Sequence, residues 1–192
     1  MKWLIQWAIR YVPRKYLQLI SQPLLRLIAF FYQGDQVFCP VDERSYRKFL
    51  PYGRIETRQN ALCPGSLTLE RHRLLWLYLQ DKTDFFVESK KLLHVAPEIC
   101  YIPKFSAMKS LEYTTADLDS PWADIKMDLH DIPFSENTFD VVLCNHVMEH
   151  VQDDIRCMSE ICRVLKPGGW AIIQSPTYDI PVTQEDPLIT DP

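Results

Sequence analysis

Polar residues stand immediately after a series of short apolar runs in the second half of the chain. Pro97 and Glu98 follow Lys91–Ala96 (KLLHVA), and Asp117 and Asp119 follow Leu111–Ala116 (LEYTTA). Asp128 follows Ala123–Met127, and Asn145 with His146 ends Phe139–Asn145 (FDVVLCN). An acid after the second run is suited to accept hydrogen bonds from both hydroxyls of a ribose. An acid after the third is suited to meet an adenine amine. Both tasks need acceptors, because the ligand groups donate.

These side chains converge only if the runs lie side by side. Phe139–Asn145 is β-branched and uncharged after its start, as a buried parallel strand requires. Helical spacing follows from Gln152 to Leu165, with Ile155, Met158, Ile161, Cys162 and Leu165 on the apolar side. Lys166-Pro167-Gly168-Gly169 is a stop and turn before the next strand, Trp170–Gln174. A short helix within Pro97–Met108 is interrupted by Pro103. Strands alternating with helices predict an α/β fold, a Rossmann-like, doubly wound, mostly parallel sheet of about five strands. In such sheets ligands bind outside the carboxyl ends of the strands.

The run from Asp128 to His150 (DLHDIPFSENTFDVVLCNHVMEH) strongly resembles the middle of class I S-adenosylmethionine-dependent methyltransferases of the type 11 kind. Arg163–Gly169 (RVLKPGG) resembles the helix-to-strand turn of that family, and the likeness extends over residues 91–176. It implies S-adenosyl-L-methionine as cofactor. By position it implies that Asp117 holds the ribose and that Asp128 and Leu129 flank the adenine. It places Asn145 and His146 beside the methionine part and the methyl acceptor.

The first motif departs from the family pattern. Relatives carry an acid and several glycines there, but no glycine occurs between Gly65 and Gly168. The segment reads Leu93-His94-Val95-Ala96-Pro97-Glu98, with His94 where the family acid stands. Ala96 is small enough for a close backbone approach, Pro97 follows it, and Glu98 supplies a carboxylate for the cofactor's ammonium. His94 is either part of this arrangement or a satisfied core histidine. Positioning provides much of the rate of methyl transfer, and a base is needed only when the acceptor must lose a proton. His146 is the candidate base. Glu149 and His150 read instead as polar or capping residues opening the next helix.

The first half is organised differently. Residues 1–33 are apolar, aromatic and basic, punctuated by Pro13 and Pro23, and read as two short amphipathic helices. They pack on the domain or lie as an interfacial anchor with peripheral membrane contact. Residues 34–67 are rich in turn formers, and a helix follows from Thr68 to about residue 80 at the head of the methyltransferase domain, 68–192. Cys39-Pro-Val-Asp42 and Cys63-Pro-Gly-Ser66 look like the two knuckles of a zinc ribbon. A tetrahedral Cys₄ site needs a cysteine at both ends of each knuckle, and Asp42 and Ser66 stand at the second ends. Serine rarely ligates zinc, and His72 falls within the helix. The expectation is a degenerate, metal-free subdomain held by Phe38, Tyr46, Phe49, Leu50 and Tyr52. Relatives that resemble this chain carry both complete knuckles before a Leu-Glu-Arg-His-Arg segment, present here at Leu69–Arg73.

Bulk properties exclude other classes. The net charge of -4 gives no electrostatic pull toward nucleic acid. The expected acceptor is a small molecule, lipid or glycan. A nicotinamide-binding domain is disfavoured because Gly-x-Gly-x-x-Gly is missing after the first strand. The six cysteines fit a reduced, cytoplasmic protein. The tail from Pro176 is polar and proline-rich, where the resembled family adds two further strands. Their absence predicts either a shortened product or a five-strand sheet with an exposed edge open to a partner. The second reading of function is accordingly a catalytically incomplete, partner-binding remnant that retains the cofactor-binding fold.

Overall fold

The computed structural model describes residues 27–53 and 56–176. Most of the 1–33 segment and the tail beyond Pro176 therefore lie outside the described residues, and the readings made for them stay as expectations. The chain forms two compact units divided between Phe86 and Val87.

The second unit is built on one five-stranded sheet. Its strands are β5 (Lys90–Val95), β6 (Leu111–Asp117), β7 (Ile125–Lys126), β8 (Phe139–Asn145) and β9 (Leu165–Gln174). They lie in the order β7-β6-β5-β8-β9, and every pairing is parallel. The order reverses direction at β5, between β6 and β8, and this switch point opens a crevice at the strands' carboxyl ends. β8 is buried almost throughout, which its β-branched sequence, uncharged after Asp140, permits.

Alternation along the strands decides what each face meets. Leu93 and Val95 stand opposite Val142 and Cys144. They share a core with Cys157, Ile161 and Val164 of the helix Asp154–Val164. On the other face His94 lies against Tyr101, Phe105 and Tyr113, with ring centroids 6.0–6.2 Å away. Phe105 belongs to the short helix Ile102–Ser106. Pro103 does not interrupt that helix but sits in its first turn, where a missing N–H costs no hydrogen bond. The helix after β8 starts at Asp154, two residues later than expected, because the Asp153 carboxylate caps it by accepting from Arg156 N at 2.9 Å.

Lys166–Gly169 is not a turn outside the sheet. β9 begins at Leu165, paired with Phe139, and the next partners are Val141 and Trp170, so the glycine pair is absorbed in a bulge. Lys166 Nζ anchors the bulge on both oxygens of Asp140 at 2.9 Å. Asp140 Oδ2 also accepts from Lys91 N at 2.7 Å, which ties the bulge to β5.

The first unit is not irregular over 34–66. β1 (Gln33–Cys39) pairs antiparallel with β2 (Arg44–Tyr46), and β3 (Leu50–Tyr52) with β4 (Arg58–Leu62). The strands are short and largely exposed, so they carry no alternating apolar pattern. The helix α1 (Glu70–Lys82), assigned from sequence to the methyltransferase domain, falls in this unit. Arg73 fixes it there. Its guanidinium donates to Ala61 O at 3.0 Å and Thr68 O at 2.7 Å and lies 4.4 Å from the centre of the Phe49 ring. Tyr46 and Phe49 are buried as expected, whereas Phe38 and Tyr52 are exposed and do not hold the subdomain. No helix among the described residues is long and apolar enough to cross a membrane.

A Cβ built on Gly169 would lie 2.9 Å from Asp140 O and 3.0 Å from Lys166 O. Both are backbone atoms and cannot step aside cheaply. Gly169→Ala is expected to destabilise the protein by about 1–3 kcal/mol. Urea unfolding should show a lower midpoint at unchanged m-value.

Candidate functional site

The two central strands of the second unit end alike. Ala96, just past β5, has φ 48°, and His146, just past β8, has φ 56°. Both are in the left-handed region, which costs an L-residue roughly 1–2 kcal/mol. Backbone pairing holds them there. Ala96 N donates to Ala116 O at 2.9 Å, and His146 N to Gln174 O at 2.7 Å. Such outliers cluster where a chain must present backbone and side chains to a ligand. The conformation that glycine would adopt freely is thus taken by an alanine, and the small Ala96 leaves room at the strand end.

A chain of side chains crosses this end of the sheet. Tyr113 Oη lies 2.9 Å from His94 Nδ1. His94 Nε2 lies 2.6 Å from Glu98 Oε2, and Asn145 Nδ2 donates to Glu98 Oε1 at 3.1 Å. His94 is fully buried and bonded through both ring nitrogens. It is therefore a satisfied core histidine and, through its second nitrogen, the residue that positions Glu98. Burial, with the Glu98 charge nearby, pushes the Tyr113 phenol well above its ordinary value. Pro97 is buried between the left-handed Ala96 and Glu98. Asn145 Oδ1 and His146 Nε2 are buried and have no hydrogen-bond partner among the described residues.

Asp117 ends β6, as expected. Its Oδ1 accepts from Asp119 N at 2.8 Å and Ser120 N at 2.6 Å, closing the loop toward β7. That leaves Oδ2 as the oxygen for an incoming donor. Asp128 follows β7, and its Oδ1 accepts from His130 N at 2.9 Å and His130 Nδ1 at 2.7 Å. These bonds, the backbone one first, hold the Asp128 carboxyl below its ordinary value, so it is an anion at neutral pH. The Leu129 side chain is part of the core, so only its backbone can flank a ligand.

The loop carrying Asp128 is clamped to the helix Asp154–Val164. Arg163 donates to Ile132 O at 2.8 Å and Phe134 O at 2.7 Å while gripping Glu160 at 2.6–2.8 Å. Glu160 in turn accepts from Ile132 N at 2.9 Å. At the other end Asp153 N donates to His130 Nε2 at 3.2 Å, and Arg156 Nε to His130 O at 2.8 Å. The Asp128–His130 pair is thus locked from both sides.

His146 Nδ1 stands 3.3 Å from Glu149 Oε1. Glu149 and His150 lie in a separate 3-10 turn, Met148–His150, and do not begin the following helix. The turn brings Glu149 back to His146, the arrangement of a base oriented by a carboxylate.

In the first unit the knuckle residues also converge. Cys39 Sγ is 3.2 Å from Ser66 Oγ and 3.4 Å from Thr68 Oγ1. Cys63 Sγ is 3.7 Å from Asp42 Oδ2, which also accepts from Tyr46 Oη at 2.6 Å. His72 does not join them; its Nδ1 accepts from Leu69 N at 3.0 Å and caps α1.

Tyr113, His130 and Arg163 escaped the reading of the sequence. The i,i+4 spacing of His94 and Glu98 was a visible signal. Tyr113 was not, because only the parallel register of β5 and β6 places it near His94.

Residues 99–173, most of the second unit, match the family model described as "Methyltransferase domain". Over 44 residues the chain is 48% identical to cycloartenol-C-24-methyltransferase 1 of Oryza sativa subsp. japonica, covering 23% of this chain and 13% of that protein. Over 49 residues it is 37% identical to the ubiquinone/menaquinone biosynthesis C-methyltransferase UbiE of Idiomarina loihiensis, covering 26% and 20%. The alignments with these curated relatives thus span a fifth of their length or less. A SAM-dependent methyltransferase structure from Aquifex aeolicus superposes with TM-score 0.43 at 17% identity, over 54% of this chain and 62% of that one.

Two expectations follow from this geometry. His94→Phe keeps the bulk but leaves Tyr113 Oη and Glu98 Oε2 without their partner. It should cost about 2 kcal/mol or more in urea unfolding. The Glu160 carboxyl is pushed down to about 2, chiefly by the Arg163 hydrogen bonds. Its folded value lies below its unfolded one, so its contribution is complete above the ordinary glutamate range, near pH 4.3, and is lost as the pH falls toward 2. Urea midpoints of Glu160→Gln should therefore vary less with pH across that window than those of the unaltered protein.

Proposed function

We propose that the second unit, a class I methyltransferase domain, binds S-adenosyl-L-methionine along the carboxyl ends of β5–β8 and transfers its methyl group to a small-molecule, lipid or glycan acceptor. One observation carries the proposal: among the described residues Asn145 Oδ1 and His146 Nε2 are buried and unpartnered, and Asn145 stands beside a carboxylate, Glu98, that His94 holds in place. Buried polar atoms without partners are rare in native structures and point to a ligand.

The donor set fits this cofactor. Glu98 accepts from the ammonium of the methionine part. Its carboxylate is held by His94 and Asn145 rather than by a glycine-rich loop. Asp117 Oδ2 accepts from the ribose hydroxyls, and the Asp128 carboxylate accepts from the adenine amine. Left-handed Ala96 and buried Pro97 let the backbone come close without a side chain in the way. When bound, the cofactor supplies a sulfonium-activated methyl group, so the protein's main task is alignment. Where the acceptor must lose a proton, His146 Nε2 takes it, and Glu149 orients the ring through Nδ1. The named relatives act as C-methyltransferases, which favours a small-molecule or lipid acceptor over a glycan.

Calorimetric titration with S-adenosylhomocysteine tests the binding. Saturable binding is expected, and no heat at about 1 mM ligand overturns the proposal. Asp117→Ala should weaken binding about ten- to a hundredfold, the worth of charged hydrogen bonds to the hydroxyls. Binding without turnover across an acceptor panel would favour the catalytically incomplete, partner-binding reading.

A further inference from the structure

We propose that Cys39, Asp42 and Cys63 bind one zinc ion, with the Ser66 hydroxyl at the fourth corner. This runs against the metal-free subdomain expected from the sequence, and the geometry of the first unit is the reason. Cys39 ends β1 and Cys63 follows β4, so two separate hairpins deliver one thiol each to the same point. Both cysteines are fully buried. Their sulfurs and a carboxylate oxygen of Asp42 lie within 4.8 Å of one another.

The separations fit a tetrahedral ion. Zinc–sulfur bonds of about 2.3 Å and zinc–oxygen bonds of about 2.0–2.2 Å set sulfur-to-oxygen edges of about 3.5 Å. The two such edges seen here are 3.2 Å, from Cys39 Sγ to Ser66 Oγ, and 3.7 Å, from Cys63 Sγ to Asp42 Oδ2. Each edge joins one knuckle to the other, so all four positions converge on one point. Asp42 Oδ1 is buried and has no hydrogen-bond partner among the described residues. A carboxylate oxygen buried in that state calls for a donor or a cation.

The surroundings fit as well. Tyr46 Oη donates to the Asp42 carboxylate at 2.6 Å, the outer hydrogen bond that orients a metal-bound carboxylate. Thr68 Oγ1 lies 2.8 Å from Ser66 Oγ and fixes the hydroxyl in the same way. At Gly65 an added Cβ would collide with Tyr46 Oη and Asp42 Oδ2. Glycine is what lets the second knuckle close on this pair. With a carboxylate and a hydroxyl replacing two thiolates, the site holds its ion less tightly than four cysteines do and exchanges it more readily.

The full chain, purified without chelator, should contain about one zinc per molecule by elemental analysis. Its cobalt-substituted form should show tetrahedral d–d bands and thiolate charge transfer. Zinc chloride titration against a chromophoric chelator then compares variants. Cys63→Ser should abolish stoichiometric zinc. Two milder variants keep the test decisive should that protein fail to fold. Tyr46→Phe should weaken zinc binding about 10–100-fold through loss of the outer hydrogen bond. Ser66→Cys should tighten it at least about tenfold by adding a third thiolate. Less than about 0.1 zinc per chain after reconstitution, an octahedral cobalt spectrum, or an affinity unmoved by both Tyr46→Phe and Ser66→Cys overturns the proposal.

Discussion

The hydrogen bond between His94 and Glu98 ties the inside of the second unit's sheet to the end of its central strand. A carboxylate at the end of a central strand must be aimed although little water reaches it. His94 does this from inside the sheet. Its ring is enclosed by Tyr101, Phe105 and Tyr113, and its two nitrogens have room only for the Tyr113 hydroxyl and Glu98. Everything around it follows. The helix Ile102–Ser106 supplies Phe105 to the box, and β6 must pair in register to bring Tyr113. Ala96 must turn left-handed so that Glu98 folds back over the strand that carries His94.

This arrangement explains how a strand end without glycine keeps the geometry that glycines usually provide. A glycine-rich loop offers backbone N–H groups and open space. Here Ala96 bears the conformational cost, Pro97 stiffens the turn, and His94 and Asn145 hold the Glu98 carboxylate in place. The order β7-β6-β5-β8-β9 still puts the crevice at the same ends. The shape of this strand end therefore rests on side-chain hydrogen bonds, which are more sensitive to single substitutions than backbone contacts.

Much of the second unit was legible in the sequence, because its central strands β5 and β8 are largely buried on both faces and read as apolar runs. Positions that follow a strand, such as Asp117, Asp128 and Asn145, were identified by counting to the run's end. Partners fixed by register or by long loops were not, and Tyr113 and the Arg163 clamp are of that kind. The bulge at Lys166–Gly169 looked like a turn because Pro-Gly-Gly is written the same way in both; only the Asp140 anchor distinguishes them. In the first unit three-residue strands have no period to detect. Exposed Phe38 and Tyr52 imitated core residues by type alone.

Arg163 reaches across from its helix to the carbonyls of Ile132 and Phe134, while Glu160 receives the N–H of Ile132. Loop and helix hence share one connected set of hydrogen bonds. They form a single cooperative opening unit, whose amides would exchange with solvent deuterium together. The Asp128 end of the crevice thereby takes its rigidity from the helix Asp154–Val164, and a change on that helix's outer surface would alter the motion of Asp128 before it altered its average position.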